Sequence, residues 1–336
     1  MRIFSFPFLS LSFLRKGPAK YLIQLFLLLL FLILLCCTKK TIKPIIEINY
    51  PVICDAPAWS PGGSTIAYVY NGIIEVHPWG GATVDPSLGG IWFMNPDGTN
   101  KRMILHGGAW PDWSPDGQRL VIGGSAQIYT IKINADSLTQ LTVKPKNFWP
   151  DWSPDGQRIA YTRSTNYPDT PSESTGIWIM DADGNNKNFL EAAKYGAWPD
   201  WSPDGKKILC EIPSYTPGDE YVNHHFWIIS LIDSNHVEIP LDGDNRDPHW
   251  SPDGSKIVFS SQREVPNRLP QIWVMNSDGT NLKQLTTEGG AAPCWSPDGT
   301  KIPFVRRNWE YSSKQGQIWI MDADGNNKTQ LTFEGW

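Results

Sequence analysis

Three stretches of the chain read Trp-Pro-Asp-Trp-Ser-Pro-Asp-Gly, which sets Trp110, Trp149 and Trp198 two residues ahead of Asp112, Asp151 and Asp200. Related stretches carry Asp247 with His249, Ala292 with Cys294, and Ala56 with Ala58 at the same two places. Alternation along a strand puts each such Trp and Asp on one face and the Trp of Trp-Ser-Pro on the other. Gathered into a half-ring, these aromatics and carboxylates could cradle a peptide, a sugar or a cation. The plainer role is structural, with the carboxylates bonding neighbouring backbone N–H groups and the indoles packing a rim.

Other chemistry is thinly represented. His224, His225 and His249 could share one rim, but no metal-ligand spacing such as His-Glu-x-x-His accompanies them. The Asp-Ala-Asp-Gly-Asn-Asn strings at Asp181 and Asp322 offer oxygens, yet lack the bidentate Glu that ends a calcium loop, and a hairpin with Gly accounts for the same letters. A Gly-x-Ser-x-Gly nucleophile elbow is missing. No catalytic residue, metal or cofactor is therefore expected.

The elements that would position the Trp and Asp residues follow from a repeat. Trp-Ser-Pro-Asp-Gly or a near copy begins at Trp59, Trp113, Trp152, Trp201, Trp250 and Trp295, at intervals of 54, 39, 49, 49 and 45 residues. A second signal, Ile-Trp-x-Met followed by an Asp-Gly turn, begins at Ile91, Ile177, Ile272 and Ile318, with worn versions at Ile128 and Phe226. Gln-Leu-Thr at Gln140, Gln284 and Gln330 marks a short closing strand. Ser-Pro-Asp-Gly suits a tight turn, because Ser caps it, Pro presets φ and Gly ends it without a Cβ clash. The Ile-Trp-Ile-Met runs are apolar on both faces, as a strand in a sheet sandwiched between two others must be.

Four antiparallel strands per unit, six times over, give an all-β fold, a six-bladed β-propeller over residues 54–336. One blade alone leaves two apolar faces wet, so only a closed ring buries them all. The repeat also accounts for most of the 17 Trp in the 336 residues. Ring closure has two candidate outer strands. Gln330 to Phe333 follow their own Asp-Gly hairpin and are expected to pair locally, leaving Ile45 to Tyr50, within a 38–53 linker, as an extra strand or a tether. The second-to-third connections (71–90, 165–176, 213–224, 263–270 and 308–316) vary in length while the opposite turns are uniform, so a partner is expected on the variable rim.

Residues 1–37 belong to no blade. Leu25 to Cys37 form an unbroken apolar run between Arg15, Lys16 and Lys20 on one side and Lys39 and Lys40 on the other. This is a signal-sequence core, a lipoprotein signal with Cys36 or Cys37 as the lipidated residue, or a short membrane anchor. Each exports the body. Residues 1–43 hold seven basic and no acidic side chains, so the remainder carries a net charge of about −12, which repels phosphate backbones and argues against nucleic-acid binding. Cys54 and Cys294 precede the first and sixth repeats, where ring closure could pair them; three buried thiols, with Cys210, is the plainer reading.

The Trp-Ser-Pro-Asp-Gly and Ile-Trp-Ile-Met-x-x-Asp-Gly-x-Asn constellation resembles the TolB propeller family over about residues 54–334. The resemblance implies a periplasmic envelope protein of the Tol-Pal kind, to which the apolar run adds a membrane tether. It also implies a non-enzymatic scaffold whose partner is an envelope protein such as a peptidoglycan-associated lipoprotein, and a monomer. The family's α/β domain is not expected here, since some 15 residues separate the apolar run from the first blade. Similar repeats occur in propellers of serine peptidases and oligogalacturonate lyases, so an oligosaccharide-binding or lyase-type use of the channel mouth is the alternative. The residues expected to face a partner or ligand are Trp110, Asp112, Trp149, Asp151, Trp198, Asp200, Asp247 and His249.

Overall fold

The computed structural model describes residues 55–76, 82–164, 174–214, 223–233, 235–263, 269–307 and 316–333. Strands dominate them, and a 3-10 turn spans Pro86–Leu88. Blade one consists of Asp55–Trp59, Ile66–Tyr70, Gly90–Met94 and Arg102–His106, with a two-stranded hairpin (Ile73–Val76, Ala82–Val84) inserted after its second strand. Blades two to five repeat the order inner, second, third, outer, every pair antiparallel. In blade six three strands, Lys301–Arg307, Gly316–Asp322 and Thr329–Gln330, form the sheet. Its inner edge is held by paired bonds between Ala291 and Val305 and by Cys294 N–H to Pro303 O at 3.2 Å.

The Ser-Pro-Asp-Gly turns are built as their letters require. In blade two Ser114 Oγ donates to Asp116 Oδ1 at 2.6 Å and accepts from Arg119 N–H at 2.9 Å, while Gly117 N–H closes on Ser114 O at 2.8 Å. The Gly sits at φ 67–70° wherever the motif recurs. The Asp-Gly hairpins also spend their oxygens locally: Asp183 Oδ1 accepts from Asn185 N–H, and Asp181 Oδ2 from the Asn186 amide.

The apolar core lies between blades. Six clusters occupy six interfaces, and each joins the second and third strands of one blade to the Trp-Ser-Pro Trp and strands of the next. One of them brings Val305, Ile318 and Leu331 of blade six against Ile66, Tyr68, Trp92 and Met94 of blade one, so the ring closes. The Asp-Gly hairpin makes the same contact at the seam as elsewhere. A Cβ on Gly98 of blade one would stand 2.9 Å from Leu331 O, as one on Gly184 would stand 3.1 Å from Leu141 O in the preceding blade.

Thr329–Gln330 pair with Trp319 and Ile320, the local pairing expected of the last outer strand. The Gln-Leu-Thr motif has a further use. Thr286 Oγ1 accepts from Ile272 N–H at 2.8 Å and donates to Gln271 Oε1 at 2.9 Å, locking the third strand to the chain beyond the outer one. Thr142 with Gln127 and Thr332 with Gln317 repeat this lock in blades two and six. Residues 45–50, Cys36, Cys37 and Cys54 lie outside the described residues, as does the apolar run. Among the described residues no helix is long and apolar enough to cross a membrane.

Candidate functional site

The inner strands converge on a central channel of about 340 Å³. Each brings the same four-residue step: a residue of positive φ, a Pro, a variable residue and the Trp of Trp-Ser-Pro. The positive-φ residues are Ala56, Trp110, Trp149, Trp198, Asp247 and Ala292, at φ between 46° and 53°. In blade two the register passes from Ala109 opposite Gly123 to Asp112 opposite Val121, so three steps on the inner strand answer two on its neighbour. That is a β-bulge, and the Pro inside it, having no N–H, forfeits no ladder bond.

The face assignment expected from alternation survives the bulge. Asp112, opposite Val121, turns toward blade three and Trp110 lies over Gly123 on the same face, whereas Trp113, opposite Leu120, turns into the interface with blade one. The second strand ends beside the start of the inner strand, so the bulges lie at the end bearing the variable second-to-third connections. Trp110, Trp149, Trp198 and Asp247 therefore form the mouth on that rim. One layer deeper are Asp112, Asp151, Asp200, His249 and Cys294. The Pro residues of the Ser-Pro-Asp-Gly turns surround the far end.

At the mouth the three half-buried indoles touch one another. Trp149 and Trp198 stack with ring centroids 4.6 Å apart, and Trp110 meets them edge-on at 5.6 and 6.5 Å. Phe148 tilts against Trp149 at 5.5 Å. Trp149 Nε1 is buried without a hydrogen-bond partner among the described residues. Asp247, across the mouth, accepts from Ala292 N–H at 3.0 Å and from Ser260 Oγ at 2.8 Å.

The deeper carboxylates stitch blade to blade. Asp112 Oδ2 accepts from Trp152 N–H, Asp151 Oδ2 from Trp201 N–H and Asp200 Oδ2 from Trp250 N–H, each at 2.7 Å. Removal from water favours their neutral forms and raises Asp112 to about 6. Asp151 is pushed well above the usual carboxylate range by burial and then by the charges of Asp112 and Asp200, and burial likewise raises Asp200. The titratable acidic and basic side chains lining the channel, among those described, are four Asp with His249, and no Lys or Arg joins them.

The histidines are occupied separately. His224 Nδ1 lies 2.8 Å from Asp244, His225 Nδ1 2.6 Å from Glu238, and His249 Nδ1 2.9 Å from Trp250 O, with its Nε2 3.6 Å from Asp200. Among the described residues no three His, Cys, Asp or Glu side chains are grouped to hold a metal. Cys210 and Cys294 are buried free thiols, and Cys294 Sγ donates to Pro57 O at 2.9 Å across the seam.

Sequence reasoning missed Glu211. It is 1% exposed, its Oε2 has no partner among the described residues, and burial followed by the charge of Asp247 raises it well above the usual range. Arg246 Nη1 is 3.5 Å away. The signal was available: Glu211 occupies a second-strand position that other blades fill with Val69, Gly123, Thr162, Ser260 and Val305.

These features define a closed six-bladed propeller with a Trp-rimmed, carboxylate-lined channel. The family model for the TolB beta propeller domain matches residues 38–211 and again residues 164–336, and the chain belongs to that family. Solved structures share the fold. A structure described as TolB from Agrobacterium tumefaciens matches with a TM-score of 0.57 at 23% identity, covering 69% of this chain and 84% of that one. TolB from Acinetobacter baumannii matches at 0.61 and 19% identity over 80% of this chain, which spans only 63% of that longer protein. An oligogalacturonate lyase from Vibrio parahaemolyticus matches at 0.52 and 12% identity, covering 81% of this chain and 91% of that one. No curated protein sequence matches the chain.

Proposed function

We propose that the chain is an exported, membrane-tethered scaffold of the bacterial envelope, held on the periplasmic side. In this reading it binds a protein partner of the peptidoglycan-associated lipoprotein kind through the loop-bearing mouth of its channel and performs no chemistry. The observation that carries this reading is the one-sided build of the mouth. Half-buried Trp110, Trp149 and Trp198 stand together over blades two to four, and the connections that lead into Trp149 and Trp198 carry the exposed side chains of Val143 and Tyr195. Apolar and aromatic surface concentrated at one place on a rigid ring is the composition of a protein-binding patch. Family membership supports the Tol-Pal setting, and the apolar run at residues 25–37 supports export. A lyase-type site would call on His224, His225 and His249 together, whereas each is committed to a different partner.

The test is photo-cross-linking of the full chain in its native envelope, with a benzophenone amino acid at position 195 and, as a control, at position 232 in an outer-face turn. Capture of a defined protein from position 195 alone is expected. Recovery of glycan without protein, or of the same species from both positions, defeats the reading.

A further inference from the structure

We propose that the mouth over blades two to four receives a lysine or arginine side chain from an extended segment of the protein partner. Its stem lies along the Trp110, Trp149 and Trp198 indoles and its charged head points toward the channel carboxylates. This deepens the scaffold reading and rests on it.

Two independent features converge on that ligand. The first is aromatic. Three indoles at one mouth offer π-electron surface that attracts a cation and also packs against an alkyl stem. The second is charge. Behind the indoles the channel presents Asp112, Asp151 and Asp200, with Asp247 at the mouth itself, and among the described lining residues no lysine or arginine answers them. Blade-to-blade N–H bonds give each of the three deeper carboxylates a backbone donor, and His249, its Nε2 3.6 Å from Asp200, is the basic side chain that faces them among the described lining residues.

The spacing fits. Indole and carboxylate layers are two residues apart along each inner strand, across the bulge, which is at most the ~7 Å that two extended residues span and lies within the reach of the four-carbon stem of lysine. A cationic head carried to that depth stays hydrogen-bonded while its stem leaves water. A neutral alkyl chain would meet the same indoles but bring nothing to the carboxylates, and an acidic one would be repelled. Val143 and Tyr195, 75% and 52% exposed, lie in the outer-to-inner connections that lead into Trp149 and Trp198.

The test uses the full chain in detergent micelles at fixed ionic strength. Its probes are blocked pentapeptides, Gly-Ser-X-Ser-Gly, with X lysine, arginine, norleucine or glutamate, titrated by Trp fluorescence and calorimetry. Lysine and arginine peptides are expected to bind at least ~10-fold more tightly than norleucine, or ~1.4 kcal/mol, with glutamate weakest. Trp198→Ala and Asp151→Asn should each remove most of that preference while a cooperative thermal transition is retained. If either variant loses the transition, choline and its uncharged isostere 3,3-dimethylbutan-1-ol are competed against the lysine peptide on the unaltered chain, and only choline should displace it. Equal binding of norleucine, tighter binding of an oligogalacturonide, or no binding of the lysine peptide overturns the proposal. Capture of a protein from position 195 without a lysine preference leaves the scaffold reading standing and removes this one; a lysine preference without any captured protein removes the scaffold reading and, with it, the protein partner as the source of the cation.

Discussion

Gly123 in the second strand of blade two lies against Trp110 of the same blade, and a Cβ at that position would stand 2.7 Å from Cε3 of the indole. The bulge aims Trp110 back over its own sheet, and the missing side chain makes the room. Where the corresponding inner-strand residue is Asp247, the second strand instead carries Ser260, whose hydroxyl bonds it. The mouth is thus shaped by pairs of residues that sit far from adjacent in sequence.

Gly123→Ala is therefore expected to displace Trp110 and to destabilise the protein by about 1–3 kcal/mol through overpacking. Gly123 does not have a positive φ, so backbone strain does not contribute. Urea unfolding and near-ultraviolet circular dichroism read the two effects, and an unchanged midpoint with an unchanged aromatic spectrum contradicts the contact.

The seam between blades six and one is tested by comparing two glycines of similar conformation. Gly98 and Gly63 have φ of 80° and 70°, but a Cβ on Gly98 would crowd Leu331 whereas one on Gly63 has nothing within 4 Å. Both alanine variants incur the left-handed backbone cost of about 1–2 kcal/mol. Gly98→Ala should cost at least ~1 kcal/mol more, and equal losses in thermal denaturation would mean that the ring is not closed at this contact.

Asp112 gives the stability a pH dependence of known sign. Its folded-state value is raised to about 6 from the usual 3.8, so the native state holds the proton longer than the unfolded chain does. Stability from this group is complete below about pH 4 and is lost as the pH rises through 6, by ~1–3 kcal/mol in all. Asp112→Asn can still accept from Trp152 N–H and has no proton to lose. Its unfolding free energy should be flatter than that of the unaltered protein between pH 4 and 7, and an identical slope would remove Asp112 as the source.

The Thr lock predicts a graded series. Thr286→Val leaves the buried Ile272 N–H without its hydroxyl acceptor and takes one of two donors from the Gln271 amide oxygen, which keeps Gly289 N–H, at a cost of about 1–3 kcal/mol. Thr286→Ser keeps the hydroxyl and should recover most of it. If valine and serine shift the urea midpoint alike, the lock contributes nothing beyond packing.

Much of the architecture was legible because each blade repeats its own turn chemistry. Trp-Ser-Pro-Asp-Gly and Ile-Trp-x-Met encode strand, turn and two-faced burial within about ten residues apiece, and the observed strands begin and end where those strings do. The mouth was legible in part. Its residues could be named and their shared face read from alternation, but the bulge between them was not foreseen, because a bulge inserts a residue without changing the local pattern of apolar and polar letters. The Pro that follows every bulge residue (Pro57, Pro111, Pro150, Pro199, Pro248 and Pro293) was the available sign. Glu211 was hidden among strand residues, since one acid in a run of apolar ones shows its isolation only when the six second strands are laid side by side.

The sequence alone determined the blade, the number of blades and the need for closure, for these rest on short-range turn geometry and on apolar faces that no single blade can cover. Tertiary structure decided which carboxylates crowd one another, which indoles touch and where a glycine makes space for a Trp. The first two of these join residues some 40–50 positions apart, as do the bonds from Asp112 to Trp152 and Asp200 to Trp250. They come into being only when the ring brings neighbouring blades within hydrogen-bonding distance around a common axis.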